Sequence, residues 1–264
     1  MTDKKEDRAE QLKVMGLLEH IDELRSRVVK SILTIVVFFF ICYSYADVIL
    51  NVLRMPLVEV LPRGASSLHF TGPMDVFMAN VKLGLFSALL LSCPVWLYQF
   101  WKFIEPALYA HERRYVLPFI ASSVTLFVVG ISFCFFVIIP LALKYLIGLG
   151  VEMGTTPIIT ISDYLSLLML MMFGFGLIFE TPVILILLAL LDIITAETLS
   201  ENRKFVIVGI FIISAILTPT PDPVSQIAMA GPTWLMFELS ILIIRFIQKK
   251  KGASSTGGGD SHAA

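Results

Sequence analysis

Apolar residues gather in runs near 28–50, 75–103, 115–145 and 163–191. Each is long enough to cross about 30 Å of hydrocarbon, which takes roughly twenty helical residues at about 1.5 Å per residue. The remaining apolar sequence divides into 204–217 and 224–247, on either side of Thr218-Pro219-Thr220-Pro221-Asp222-Pro223. Prolines there cannot continue a helix and favour a tight extended turn, so two further helices are predicted. The fifth has about fourteen residues and reaches roughly 21 Å, short of the hydrocarbon core. Gly231-Pro232 interrupts the sixth, and its proline is expected to kink it. The pattern predicts an all-α polytopic membrane protein of six transmembrane helices, with helices 5 and 6 short.

Lys and Arg in the loops orient such a chain, because positively charged flanks stay in the cytoplasm. One side collects Lys4, Lys5, Arg8, Lys13, Arg25, Arg27, Lys30, Lys102, Arg113, Arg114, Arg203, Lys204, Arg245 and Lys249 to Lys251. The other holds Arg54, Arg63, Lys82 and Lys144. Both termini are therefore expected to be cytoplasmic, which fits an even number of spans. The longer external loops, 51–74 and 146–162, carry Pro56, Pro62, Pro73 and Pro157 and are expected to form structured caps. Residues 1–27 are expected to be a cytoplasmic amphipathic segment, 28–248 the membrane domain, and 249–264 a disordered Gly/Ser-rich tail.

Composition agrees with this class. Hydrophobic residues make up 57% of the chain and charged residues 16%, and mean hydropathy is +0.85. A soluble domain of this length carries more charge. A net charge of -1 argues against nucleic acid, whose binding needs clustered cations. Cys42, Cys93 and Cys134 stand singly inside apolar runs, without ligand spacing, and read as small hydrophobes. No metal or other cofactor is expected. The first apolar run follows about thirty mostly polar residues without a small-residue cleavage pattern, so it reads as a retained helix.

The polar positions offer two segments with chemistry. In the first, Val14, Leu17, Leu18, Ile21, Leu24 and Val28 recur at helical spacing, while His20, Glu23 and Arg27 share another face. This predicts an amphipathic helix on the cytoplasmic interface. Two readings stay open: a lipid-surface anchor laced by i,i+3 and i,i+4 charge pairs, or a receptor whose carboxylate takes a guanidinium through two parallel hydrogen bonds. The second segment is Phe103-Ile104-Glu105-Pro106-Ala107-Leu108-Tyr109-Ala110-His111-Glu112-Arg113-Arg114. Its His111-Glu112 lacks the second His of a zinc protease, because Tyr115 stands in its place. No nucleophile elbow or phosphate-binding loop appears, so hydrolase and nucleotide-driven chemistry lack residues. Within the membrane, Glu180 is a costly ionisable group beside Thr181-Pro182, and Glu238 poses the same question in the sixth helix. Each is either a structural carboxyl bonded to a neighbouring helix or part of a water-lined groove.

Four patches in order give the chain a family resemblance. They are His20-Ile21-Asp22-Glu23-Leu24-Arg25-Ser26-Arg27, the segment 103–114, Phe173-Gly174-Phe175-Gly176-Leu177-Ile178-Phe179-Glu180-Thr181-Pro182, and Leu217-Thr218-Pro219-Thr220-Pro221-Asp222-Pro223-Val224-Ser225-Gln226. Together they resemble the TatC family, the receptor subunit of the twin-arginine protein translocase. Ile21, Val28 and Glu105 depart mildly from the family pattern.

The resemblance implies a non-enzymatic receptor in the bacterial cytoplasmic (inner) membrane that binds Arg-Arg signal peptides of folded precursors. It implies that Glu23 and Glu112 engage the arginines, that Phe103 adds an aromatic contact, and that His20, Leu24 and Arg25 shape the helix. Glu180 would line a concave groove, and Gln226, Leu217 and the short fifth helix would dock the single-span TatA and TatB subunits. Pro56 and Asp222 would belong to the external cap and hairpin. The resemblance further implies use of the protonmotive force and a homo-oligomer in the complex. The other readings of the residues are a proton-coupled small-solute transporter working through Glu180 and Glu238, a membrane insertase, and a purely structural assembly subunit.

Overall fold

Prolines decide where the helices break. In the computed structural model the described residues are 3–61, 69–70, 72–105, 116–152, 154, 158–218 and 223–256, with side chains described between Glu19 and Lys249 apart from Val116 and Val224. Helices α1 (Asp3–Ser44), α2 (Ala46–Leu53) and α3 (Met55–Val60) open the chain, followed by α4 (Pro73–Leu91) and α5 (Cys93–Ile104). The third long helix is α6 (Val116–Phe133), a π-helical turn at Cys134–Ile138, and α7 (Ile139–Glu152). Then come α8 (Ile161–Phe179), α9 (Thr181–Leu190), α10 (Ala196–Glu201), α11 (Arg203–Leu217) and α12 (Pro223–Thr256). At the starts of α3, α5 and α9 a proline occupies the first turn, where its missing N–H is no loss. Pro56, Pro94 and Pro182 thus set these three breaks.

The apolar runs at 75–103 and 163–191 are therefore each two helices, not one. Ser92 interrupts the first, and the Trp96 indole N–H donates to the Leu89 carbonyl across the break at 3.0 Å. Glu180 interrupts the second. Among the described residues five helical stretches are long and apolar enough to span a membrane: Glu19–Ser44, Pro73–Leu91, Leu117–Glu152, Ile161–Leu190 and Ser225–Lys249. The fifth predicted helix is present as α11 but has 15 residues, about 22 Å of rise, and does not reach spanning length. The sixth corrects an expectation, since α12 is 34 residues long and runs unbroken through Pro232, and so is not short. A single proline removes one ladder donor, and the flanking apolar sequence carries the helix past it.

The amino-terminal segment is helical. It is continuous with the first span in α1, because neither Gly nor Pro occurs between Leu17 and Ser44 to end the helix. Hydroxyls inside this helix return their hydrogen bonds to its own backbone, Ser31 to Arg27 O and Thr34 to Lys30 O, which suits a setting without water.

Contacts divide the chain into two compact units, 1–49 with 80–124 and 50–79 with 125–264. In the first, α1 packs along α5, and Gly84 of α4 lies close against Phe39 and Tyr43 of α1. In the second, α8 is the core helix, burying Tyr164, Leu165, Leu168, Met171, Phe175 and Phe179 at helical spacing. Its small residues admit neighbours closely: Gly176 faces the Phe127 ring and Gly174 faces Leu217 of α11. The two longer loops expected on the outer side are tied together in this unit. His69 N–H donates to Ile159 O at 3.0 Å, Ile161 N–H returns to His69 O at 2.9 Å, and the Tyr164 hydroxyl donates to Leu53 O. Cys42, Cys93 and Cys134 are buried thiols.

Gly130 gives a test of this packing. A Cβ there would stand 2.8 Å from the Phe175 carbonyl and from Phe179 Cβ, whereas a Cβ on Gly209 meets nothing within 4 Å. Gly130→Ala should lower stability by about 1–3 kcal/mol, through overpacking against backbone that cannot yield. Gly209→Ala should not destabilise. Thermal unfolding of the detergent-solubilised protein compares the two.

Candidate functional site

Helical spacing places His20, Glu23 and Arg27 on one face of α1, and that face meets the end of α5. His20 stacks on Phe103 with ring centroids 4.3 Å apart and planes 13° from parallel. Its Nδ1 lies 3.8 Å from Glu23 Oε2. Arg27 donates from Nε and Nη2 to Glu23 Oε1, at 3.0 and 2.5 Å, and from Nη1 to Gln99 Oε1 at 3.4 Å. Gln99 and Phe103 are one turn apart on α5, so successive turns of the two helices are joined by a ring stack and a polar bridge. Leu24, Val28, Ile32, Trp96 and Phe100 line a cleft of about 240 Å³ here, whose polar groups are Arg27, Ser31 and Gln99.

Below this contact α5 is anchored by Trp101, which is buried. Its indole N–H donates to Ser123 Oγ at 2.7 Å, and its ring stacks on Phe119 at 5.7 Å. At the end of α5 Lys102 Nζ lies 2.6 Å from Glu105 Oε2. That hydrogen bond, with the carboxylate's charge behind it, raises the Lys102 pKa above its ordinary value. Glu105 is thus partly neutralised within its own turn.

The expected site residues fall in different places. His20, Glu23, Leu24 and Phe103 come together at the α1–α5 contact, and Arg25 is exposed on the same turns of α1. Glu112 lies outside the described residues, as does Asp222. Glu180 sits at the break between α8 and α9 and is buried, at 5% exposure. Glu238 meets Arg203 Nη2 at 2.9 Å, so this carboxylate has a cationic partner on α11 within its own unit. The Gln226 amide donates to the Phe211 carbonyl at 3.0 Å, which holds the first turn of α12 to α11. Leu217 packs on Gly174, and Pro56 is buried in α3. Between α11 and α12 a wholly apolar cleft of about 260 Å³ is lined by Ile207, Ile210, Phe211, Ile227, Ala230 and Trp234.

Sequence reading missed the cross-helix roles of Arg27 and Gln99. Arg27 was legible as half of an i,i+4 pair and as a positive flank, but its link to α5 is seventy-two residues away in sequence. Gln99 carries no local signal, being one amide among interfacial aromatics.

Helices of spanning length, polar groups concentrated at helix ends and breaks, and broad apolar exposure define a multi-pass membrane protein. The family model for the Sec-independent protein translocase protein TatC matches residues 19–232. The chain is 37% identical over 239 residues to the TatC protein of Carboxydothermus hydrogenoformans, covering 90% of this chain and 96% of that one. It is 39% identical to TatC of Escherichia coli strain K12 over 230 residues, 87% of this chain and 88% of the other. A crystal structure of the twin arginine translocase receptor TatC superposes with a TM-score of 0.76 at 36% identity, covering 86% of this chain and 98% of that chain. The chain belongs to the TatC family. Its class is accordingly a translocase component and receptor, not an enzyme.

The anchor below the site is separately testable. Ser123→Ala leaves the buried Trp101 N–H without its acceptor and should cost about 1–3 kcal/mol. Tryptophan fluorescence and thermal unfolding in detergent follow the loss.

Proposed function

We propose that this chain is the signal-peptide receptor of a twin-arginine translocase in a bacterial cytoplasmic membrane, working with both termini in the cytoplasm and six membrane helices. Glu23 and Glu112 receive the paired arginines of the signal. Phe103 adds an aromatic contact, and His20, Leu24 and Arg25 shape the surface around it. The observation that carries this reading is the convergence of Glu23, His20 and Phe103 at the α1–α5 contact, beside a cleft able to take apolar side chains. A carboxylate backed by a stacked ring pair suits a planar, forked cation better than a compact ammonium.

Further steps follow the family. The apolar stretch of the signal moves along a groove lined by Glu180, and Gln226, Leu217 and α11 dock the single-span TatA and TatB subunits. Supporting this, α11 is too short to span and presents exposed Val208, Ile212 and Ile216, which a partner helix would cover. The external cap and hairpin, with Pro56 and Asp222, hold the far ends of the helices. Receptor copies associate in the complex, and the protonmotive force drives transport.

The test is binding of a synthetic Arg-Arg signal peptide to the purified protein. Glu23→Ala with Glu112→Ala should weaken binding by about a hundred- to ten-thousandfold, the range of two charged hydrogen bonds. The double variant must still unfold at its usual temperature. Undiminished binding would remove the assignment. A photoreactive label at position 226 should capture a single-span partner and not the signal peptide.

A further inference from the structure

The carboxylate that the proposed function gives to an incoming arginine already holds one. Arg27, one helical turn along α1, places two N–H donors on Glu23 Oε1, at 3.0 and 2.5 Å, while His20 Nδ1 faces Oε2 at 3.8 Å. Both partners of the pair are partly shielded, with side-chain exposures of 21% for Arg27 and 34% for Glu23. The same guanidinium reaches Gln99 on α5 at 3.4 Å. Glu23 is thus engaged by the chemical group it is proposed to recognise.

We infer that Arg27 is an internal competitor at the receiving site, a guanidinium that an incoming side chain must displace from Glu23. This rests on the proposed function, because Glu23 is taken as the receiving group. A fork of two parallel hydrogen bonds needs both carboxylate oxygens, and Oε1 is the one Arg27 occupies. An arginine in the signal exchanges like for like: two charge-assisted bonds are lost and two are made. A lysine replaces a planar fork with a strongly hydrated point charge and makes up the loss less well. Breaking the internal pair costs the same whichever side chain arrives, so it lowers both affinities and leaves the difference between them as the fork sets it: exchange is close to balanced for arginine and unfavourable for lysine. Gln99 gives the released guanidinium an acceptor on α5, within reach of its present position.

The experiment measures binding of labelled Arg-Arg and Lys-Lys signal peptides to the full-length protein in detergent, for the wild type, Arg27→Lys, Arg27→Gln and Glu23→Gln. Thermal unfolding confirms that each variant is folded. Arg27→Gln should bind both peptides about two- to fivefold more tightly, the range expected when a partly exposed ion pair no longer has to be broken. The ratio of Arg-Arg to Lys-Lys affinity should stay as in the wild type, and Arg27→Lys should gain less than Arg27→Gln, because its ammonium still pairs with Glu23. If Arg27→Gln does not fold, Arg27→Lys decides alone by a smaller gain, since it keeps the charge and loses the second of the two donors on Oε1. Arg-Arg and Lys-Lys affinities that are unchanged or weaker in the folded Arg27 variants, while Glu23→Gln loses Arg-Arg binding, overturn this inference and leave the proposed function standing. Wild-type Arg-Arg binding in Glu23→Gln overturns the proposed function, and this inference with it.

Discussion

Backbone satisfaction in hydrocarbon is the constraint from which the rest of this structure follows. Without water, each N–H and C=O inside the membrane must be paired within the protein, and a helix does this by itself. Interruptions are then costly, and they fall where proline makes them cheap. Pro56, Pro94 and Pro182 each stand in the first turn of a helix. Trp96 donates across the break at Ser92, and Glu180 occupies the break before Pro182. Polar groups elsewhere fold back on their own helices, as Ser31, Thr34, Thr233 and Ser240 do.

Close helix contact supplies what hydrophobic burial cannot, because lipid tails are as apolar as the side chains they would replace. Glycines at 130, 174 and 176 bring α6, α8 and α11 together, and each faces a large side chain of a neighbour. Polar ties fix register at the ends. Arg203 with Glu238 and Gln226 with the Phe211 carbonyl join α11 to α12 on both sides of the apolar cleft between them. A helix of 15 residues, too short to be held by the bilayer alone, is held by its neighbour.

The long apolar runs made the helices legible in the sequence, since hydropathy depends on composition over twenty residues and not on detail. The breaks inside runs 75–103 and 163–191 were less legible, because each depends on one proline in a stretch that is otherwise uniformly apolar. The sixth helix was expected to be short and interrupted at Gly231-Pro232, yet one lost hydrogen bond does not break a long apolar helix. In the site, the shared face of His20, Glu23 and Arg27 followed from spacing alone. Their partners Phe103 and Gln99 did not, for no local pattern encodes which helix lies alongside. Glu238 gained Arg203 for the same reason, through a contact thirty-five residues distant.

The proposed function joins the two readings of the α1 acids in one account. The charge pairs that argued for a plain anchor are present, and Glu23 is also set beside an aromatic stack and a cleft, as a receptor requires. The claim that this contact is where the signal is read is tested most directly by a photoreactive residue at position 103 in membranes containing a radiolabelled precursor. The account predicts a crosslink to the signal segment that is lost when its paired arginines become lysines. Crosslinking that persists unchanged with lysines, or the absence of any crosslink from position 103 to a bound precursor, would contradict it.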